Sequence, residues 1–320
     1  MKFIFVRKML PKLFLLCTLI LVLVFLPPIL PASANQPEQY PKNVTSEFMA
    51  TEQLTPLNWA KRLVDELKTN PCNNKYTAKQ VFITWKGVNN AKESENRSVC
   101  SSFITLLLKQ TYGNKDGFNF KEWMGFGSIV PKDKPDEEIL AAPYYQVIAN
   151  NRNRFQLITR VTDILPGDIL AVKYSESSKS TDYEEAFELD ENILESKDCP
   201  KKKTSTGHVV LVSEKPDLIR DSQSKPDILE LKQYSIKVMD SSRSGHGKKD
   251  DSRWQKQSGS WVNGGAGEGI MRLYVNEQNE IQGYTWSREP HSTYYSQNEY
   301  LDNNKCRIPA HPLVVGRLIP

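Results

Sequence analysis

Two short segments constrain this chain most. The first, Ser98-Val99-Cys100-Ser101-Ser102-Phe103-Ile104-Thr105-Leu106-Leu107-Leu108, predicts an apolar helix that opens on a cysteine. The second, Gly207-His208-Val209-Val210-Leu211-Val212, predicts a buried strand that opens on a histidine. Between them Leu165-Pro166-Gly167-Asp168 is a tight turn feeding a further apolar run, Ile169-Leu170-Ala171-Val172. A helix N-terminus favours negative charge, so a thiol placed there ionises more readily. A histidine fixed on a strand is a rigidly placed base.

The N-terminal 34 residues read as a secretion signal. Lys2, Arg7, Lys8 and Lys12 precede an almost unbroken apolar run from Leu13 to Leu30, and Ala32-Ser33-Ala34 offers an Ala-x-Ala cleavage site. The rival reading is an uncleaved membrane anchor, which Pro27, Pro28 and Pro31 disfavour at its end. Cys17 lacks the small preceding residues of a lipidation site, since Leu15 and Leu16 stand there. Export to a periplasmic or extracellular location, with or without association to the cell envelope, is the expectation.

The net charge of +4 resides in that leader, and the remainder is balanced. Balance argues against nucleic acid as the main partner. No later segment is long and apolar enough for a membrane span. Cys72, Cys100, Cys199 and Cys306 remain after cleavage, and pairing among Cys72, Cys199 and Cys306 is left open. No cysteine or histidine spacing has the form of a metal site, and no cofactor is expected.

Residues 35–55 are polar, without periodicity, and read as a linker. One domain is expected over 56–320. Leu57, Ala60, Leu63, Val64 and Leu67 predict an amphipathic helix ended by Asn70-Pro71. Val81–Trp85 reads as a strand and residues 89–97 as a polar loop. Ser98 is the expected N-cap of the Cys100 helix, which should run to Tyr112 and stop at Gly113. Residues 136–150 predict a helical region that Pro143 kinks or splits. Residues 175–206, rich in Ser, Glu, Asp and Lys, read as a mobile surface insertion. Tyr234–Met239 predicts a strand closed by Asp240-Ser241-Ser242. A glycine-rich loop beside the cleft is expected to Gly269, a hairpin over 270–286, and a last strand near 312–318. The portion from about 241 reads as a β-rich C-terminal extension.

In order and context these segments resemble the NlpC-type and CHAP-type cell-wall hydrolases of the papain-like superfamily. The resemblance rests on Cys100-Ser101 opening a helix, Pro166-Gly167-Asp168 before a strand, His208-Val209-Val210-Leu211 opening the next, and Asp240 after it. It spans roughly Val81 to Asp240. Val99 stands where an acid is usual, Asp240 where His or Asn is commoner, and the segment beyond Ser241 has no counterpart. The resemblance implies a papain-like α+β fold, with the nucleophile helix packed on an antiparallel sheet. It implies Cys100 as nucleophile, His208 as base and Asp240 as orienting residue. Backbone N–H groups of Cys100 and Ser101 would form part of an oxyanion hole. The implied activity is amide cleavage in a peptide substrate or the peptide stems of peptidoglycan. Two other readings stay open: a non-catalytic envelope-binding module, and a thiol acyltransferase of transglutaminase type. Asp168 reads as structural, and His246 as a solvent-exposed loop residue that rivals Asp240 for the third position. Tyr144, Tyr145, Trp254 and Trp261 are core or stacking residues.

Overall fold

A computed structural model describes residues 54–113, 116–152, 154–174, 207–220, 230–262, 264–298, 300–301, 307–308 and 310–320. The expected signal (1–34), the linker up to residue 53, the insertion (175–206), Cys199 and Cys306 lie outside the described residues.

Helix α1, Pro56–Thr69, starts with Pro56 at its first position and Thr55 as N-cap, whose side chain accepts from the Asn58 N–H. It buries Ala60, Leu63, Val64 and Leu67, the expected stripe. Strands β1 (Asn74–Tyr76), β2 (Phe82–Thr84) and β3 (Glu95–Ser98) form a small sheet with β3 in the centre, parallel to β1 and antiparallel to β2. Glu-Asn-Arg-Ser has no apolar alternation, which is why β3 reads as loop in the sequence. One residue after β3 the chain enters α2, Cys100–Tyr112. This helix is buried from Cys100 through Thr105 and again at Leu107, Leu108 and Thr111, the pattern of a central helix.

Short α3 (Phe120–Met124) follows, then α4 (Ala141–Ala149). The expected helical region is split, but between Glu138 and Ala141 rather than at Pro143. The helix begins at Ala141, so Pro143 sits in its first turn, where its missing N–H breaks no helical bond. A 3₁₀ turn over Asp136–Glu138 takes the upstream half of the expected helix.

The remaining chain builds a nine-stranded antiparallel sheet. Its strands are β4 (Phe155–Ile158), β5 (Ile169–Lys173), β6 (Gly207–Val212), the short β7 (Asp217–Leu218) and β8 (Lys232–Ser242). A small hairpin, β9 (Trp254–Gln255) with β10 (Ser260–Trp261), precedes β11 (Gly265–Val275), β12 (Ile281–Thr285) and β13 (Tyr295–Ser296). The pair β14 (Tyr300–Leu301) and β15 (Arg307–Ile308) leads to β16 (Leu313–Leu318). The order across the sheet is β13-β12-β11-β8-β6-β5-β16-β4, with β7 on β8. Residues beyond 241 are therefore built into the same sheet, and β16 lies between β5 and β4. The chain is α+β.

Alternate sheet positions feed two cores. Ile169, Ala171, Val209, Leu211 and Met239 pack with Phe103, Ile104, Leu107 and the other helical residues. Leu170, Val172, Val210, Val212, Ile236 and Val238 form the second cluster with Met271 and Leu273. Strands buried on both sides read as continuous apolar runs, as β5 and β6 do. Among the described residues no helix is long and apolar enough to cross a membrane.

Candidate functional site

The site lies where a ladder ends. Strands β6 and β8 pair only at Leu211–Met239 and Val212–Val238. Beyond those pairs β6 runs back to His208 and β8 on to Asp240. His208 Nε2 lies 2.6 Å from Asp240 Oδ2. The Cys100 thiol lies close enough to the same ring that the charge of each favours the ionised form of the other. Cys100 is a free thiol, 7% exposed, at the first position of α2. The structure thus brings Cys100, His208 and Asp240 together, as the sequence order suggested.

Local structure fixes the thiol. The N-cap is Val99, not Ser98. Val99 has no side-chain acceptor, and the helix start is secured from the other side: the Ser102 hydroxyl accepts from the Val99 N–H at 2.8 Å. Ser98 is turned to a different task. Its hydroxyl donates to Asn96 Oδ1 at 2.6 Å, and its carbonyl accepts from the Ser241 hydroxyl of β8 at 2.8 Å. Asn96 Nδ2 donates to Asn74 Oδ1, which also accepts the Ala266 N–H, while Asn74 Nδ2 donates to the Ala266 carbonyl. This buried polar chain fastens the small sheet, and so the start of α2, to β8 and β11. The N–H groups of Cys100 and Ser101 belong to the first helical turn and have no intrahelical acceptor.

Asp240 is fully buried and faces three cations or potential cations. Besides His208, His246 Nε2 lies 3.2 Å from Oδ2 and Arg253 Nη1 lies 2.9 Å from Oδ1. Neither of these two is a directed hydrogen bond. The Nη1 hydrogens go to Ser242 Oγ at 2.6 Å and to the Gly265 carbonyl at 3.0 Å, so its contact with Asp240 is one of charge. Asp251 clamps Arg253 from the far side through Nε and Nη2, at 2.9 and 2.7 Å, and accepts the His246 N–H at 2.7 Å. His246 is 3% exposed, which overturns its reading as a solvent-exposed loop residue. Its Nδ1 lies 2.7 Å from the Trp286 carbonyl, an acceptor only, so Nδ1 carries a proton.

The glycine run over 264–269 is also not a loop. Strand β11 begins at Gly265, and Gly267 pairs with Asp240. A Cβ at Gly265 would lie 2.1 Å from Asn74 Oδ1, at Gly267 2.6 Å from Arg253 Nε, and at Gly269 2.6 Å from His246 Cβ. Three glycines at alternate positions share one strand face, and that bare face makes room for the polar cluster.

These surroundings set the protonation states. Burial opposes ionisation of Cys100. The charge of His208, its hydrogen bond and a bond from the Val209 backbone outweigh it, leaving the thiol below its ordinary value. Burial works against a charged His208 too, but the Cys100 charge and the Asp240 hydrogen bond push it up to about 10. Burial likewise opposes the charge on Asp240, yet Arg253, His246 and His208 hold its carboxyl well below the usual range. Together these directions favour a thiolate–imidazolium pair at neutral pH.

Aromatic rings wall the site. Trp286 meets the His208 ring edge-on at 4.9 Å, and its indole bonds the Tyr174 hydroxyl. Burial, and then the charge at Cys100, raises the Tyr76 phenol, so it stays neutral. Tyr144 is instead core, its hydroxyl 2.7 Å from Thr105 Oγ1. Trp254 and Trp261 contact each other edge-on in the β9–β10 hairpin. Asp168 sits apart from the thiol site. Its carboxylate accepts the Leu165 N–H at 2.8 Å and a two-pronged contact from Arg317. Sequence reasoning missed Asn74, Asn96, Asp251, Arg253 and Trp286. Only the alternate glycines carried a signal for the buried cluster. Among the described residues no group of three or more His, Cys, Asp or Glu could hold a metal ion.

No family model matches the chain, and no solved structure matches it. It is similar to the uncharacterized protein R653 of Acanthamoeba polyphaga mimivirus, 25% identical over 276 residues, which covers 84% of this chain and 99% of that protein.

Proposed function

We propose that this chain is an exported cysteine hydrolase of papain-like fold that cleaves an amide bond with Cys100, His208 and Asp240. The observation that carries the reading is the buried line from a helix-terminal thiol through one imidazole to a carboxylate 2.6 Å away. The free state of Cys100 also supports it, since a disulfide there would have favoured the binding-module reading.

In this reaction the Cys100 thiolate attacks the carbonyl carbon. The oxyanion that forms is met by the Cys100 and Ser101 N–H groups at the positive end of α2. The His208 imidazolium gives its Nδ1 proton to the amine as the C–N bond breaks, leaving a thioester on Cys100. Neutral His208 then takes a proton from water, hydroxide adds to the thioester, and the acid leaves as the thiolate returns. Asp240 holds His208 in the tautomer with its proton on Nε2 and stabilises the charged ring. The proposed substrate is a peptide stem of peptidoglycan or a related peptide, a choice that rests on the resemblance of the motifs.

The test is digestion of purified peptidoglycan and of a peptide mixture, with products read by mass spectrometry, with and without a primary amine acceptor. Release of a new carboxyl and amine pair, lost in Cys100→Ala, is expected. Amide products formed only with the acceptor assign acyl transfer instead. Activity retained in Cys100→Ala overturns the mechanism.

A further inference from the structure

One cation beside the site has no task in the fold. Arg243 follows directly on β8, three residues past Asp240, and is exposed. Among the described residues it makes no ion pair or hydrogen bond. Its guanidinium is held over the ring of Tyr76, 6.0 Å from the centroid. Tyr76 pairs with Ser98, two residues before Cys100, and the Ser98 carbonyl accepts from Ser241, two residues before Arg243, so ring and guanidinium both sit at the start of α2. The Tyr76 phenol feels the charges of Cys100 and Arg243 alike. The backbones are locked to one another here. A Cβ at Gly264 would lie 2.9 Å from Tyr76 Cβ and 3.2 Å from Arg243 Cα, so Arg243 and Tyr76 meet across a glycine. The other charged groups of the cluster are engaged: Arg253 is clamped by Asp251, and Asp240 by His208 and Arg253. An exposed arginine with no ionic partner, held near an aromatic face, is suited to bind a carboxylate.

We propose that Arg243 and Tyr76 form an anion-reading subsite next to Cys100, so that the preferred substrate carries a carboxylate close to the amide that is cut. This deepens the hydrolase reading and rests on it. The carboxylate is either an acidic side chain or the free end of a peptide.

The test uses two alkylating reagents of equal reach. Iodoacetate and iodoacetamide each form a thioether on Cys100 with loss of iodide, and differ in that only the first is anionic. Rates at Cys100 in the full chain are read by peptide mass spectrometry, and their ratio is the measurement. The ratio of iodoacetate to iodoacetamide is expected to fall about three- to tenfold in Arg243→Gln, as one charge at close range predicts. It is expected to hold in Arg243→Lys and to fall with added salt. Lys215→Gln, an exposed cation beyond the far end of β6, should leave it unchanged. An unmoved ratio in Arg243→Gln, with Cys100 still labelled fast, overturns the subsite and leaves the hydrolase reading standing. Cys100 inert to both reagents overturns the nucleophile and the subsite with it. Two competing peptides then separate the sources, one with an internal Glu and an amidated end, the other neutral with a free carboxyl end. The one that protects Cys100 better in the native chain than in Arg243→Gln carries the recognised group. Equal protection of both chains by both peptides overturns the proposal.

Discussion

Asp240→Asn should narrow the pH range over which the thiolate–imidazolium pair exists, and it should do so from the alkaline side. The acid edge of that range is the Cys100 thiol, and the alkaline edge is His208, held up to about 10. Asp240 supports that edge through a 2.6 Å contact to Nε2, short enough for a charge-assisted bond. Such a bond to a charged group contributes about 1.5–3 kcal/mol. At about 1.4 kcal/mol for each pK unit, losing it lowers the alkaline edge by about 1 to 2 pH units. The sign follows from the charge: a neutral amide no longer favours the protonated ring, so His208 releases its proton sooner. The assay is the alkylation rate of Cys100 by iodoacetamide from acid to strongly alkaline pH. A thiolate freed from its ion pair is the stronger nucleophile, so the native profile should show a second rise near pH 10, and the variant should show it earlier. Thermal melts guard against misfolding. Asp251 still balances Arg253, so the loss of stability should stay below the about 3–5 kcal/mol of leaving a buried cation uncompensated. A second rise that stays in place in a folded variant refutes the role given to Asp240.

Other outcomes follow from the same geometry. Cys100 should be alkylated by iodoacetamide faster than exposed Cys72 at neutral pH, as peptide mass spectrometry would show, because His208 favours its thiolate. Gly267→Ala should destabilise by about 1–3 kcal/mol in denaturant titration, since its methyl group would lie 2.6 Å from Arg253 Nε. Arg253→Met should lower the melting temperature more than Gly267→Ala, because it leaves Asp251 buried without its cation at a cost of about 3–5 kcal/mol. His246→Ala should lower both stability and turnover on a cell-wall preparation, as the ring is buried against Asp240 rather than exposed.

The frame of the molecule was legible wherever apolar residues carry a period. Helices α1 and α2 and strands β5, β6 and β16 emerge near their expected ends because burial alone selects them. The order of Cys100, His208 and Asp240 was legible too, through three strings that each open or close such an element. What escaped is held by polar groups. β3 is a strand of Glu-Asn-Arg-Ser, stabilised by its place between β1 and β2 rather than by any pattern of its own. The glycines at 265, 267 and 269 suggested a loop, yet each is needed because a buried side chain occupies the space of its missing Cβ. Asp240 was expected to close its strand, and it lies within β8 because Gly267 of β11 pairs with it. Long-range pairing of that kind leaves no local trace.

The cluster behind Asp240 has the form of a site that sacrifices stability for orientation. An aspartate bonded to His208 alone would complete a triad, and hydrophobic packing behind it would cost the fold less than two buried acids, an arginine and a second histidine. The structure instead surrounds Asp240 with His246 and Arg253, and then neutralises Arg253 with Asp251. Counted with the His208 imidazolium and the Cys100 thiolate, the charges alternate in sign outward from the helix end: thiolate, imidazolium, carboxylate, guanidinium, carboxylate. Each member favours the ionised form of the next, which explains why Asp240 stays ionised without solvent while His208 is held protonated. Ser242, Gly265 and the Asn74–Ala266 clamp fix the same groups from the backbone. Because Asp240 bonds the imidazole while its own neighbours are fixed in this way, each outer member of the row acts on the thiol only through His208.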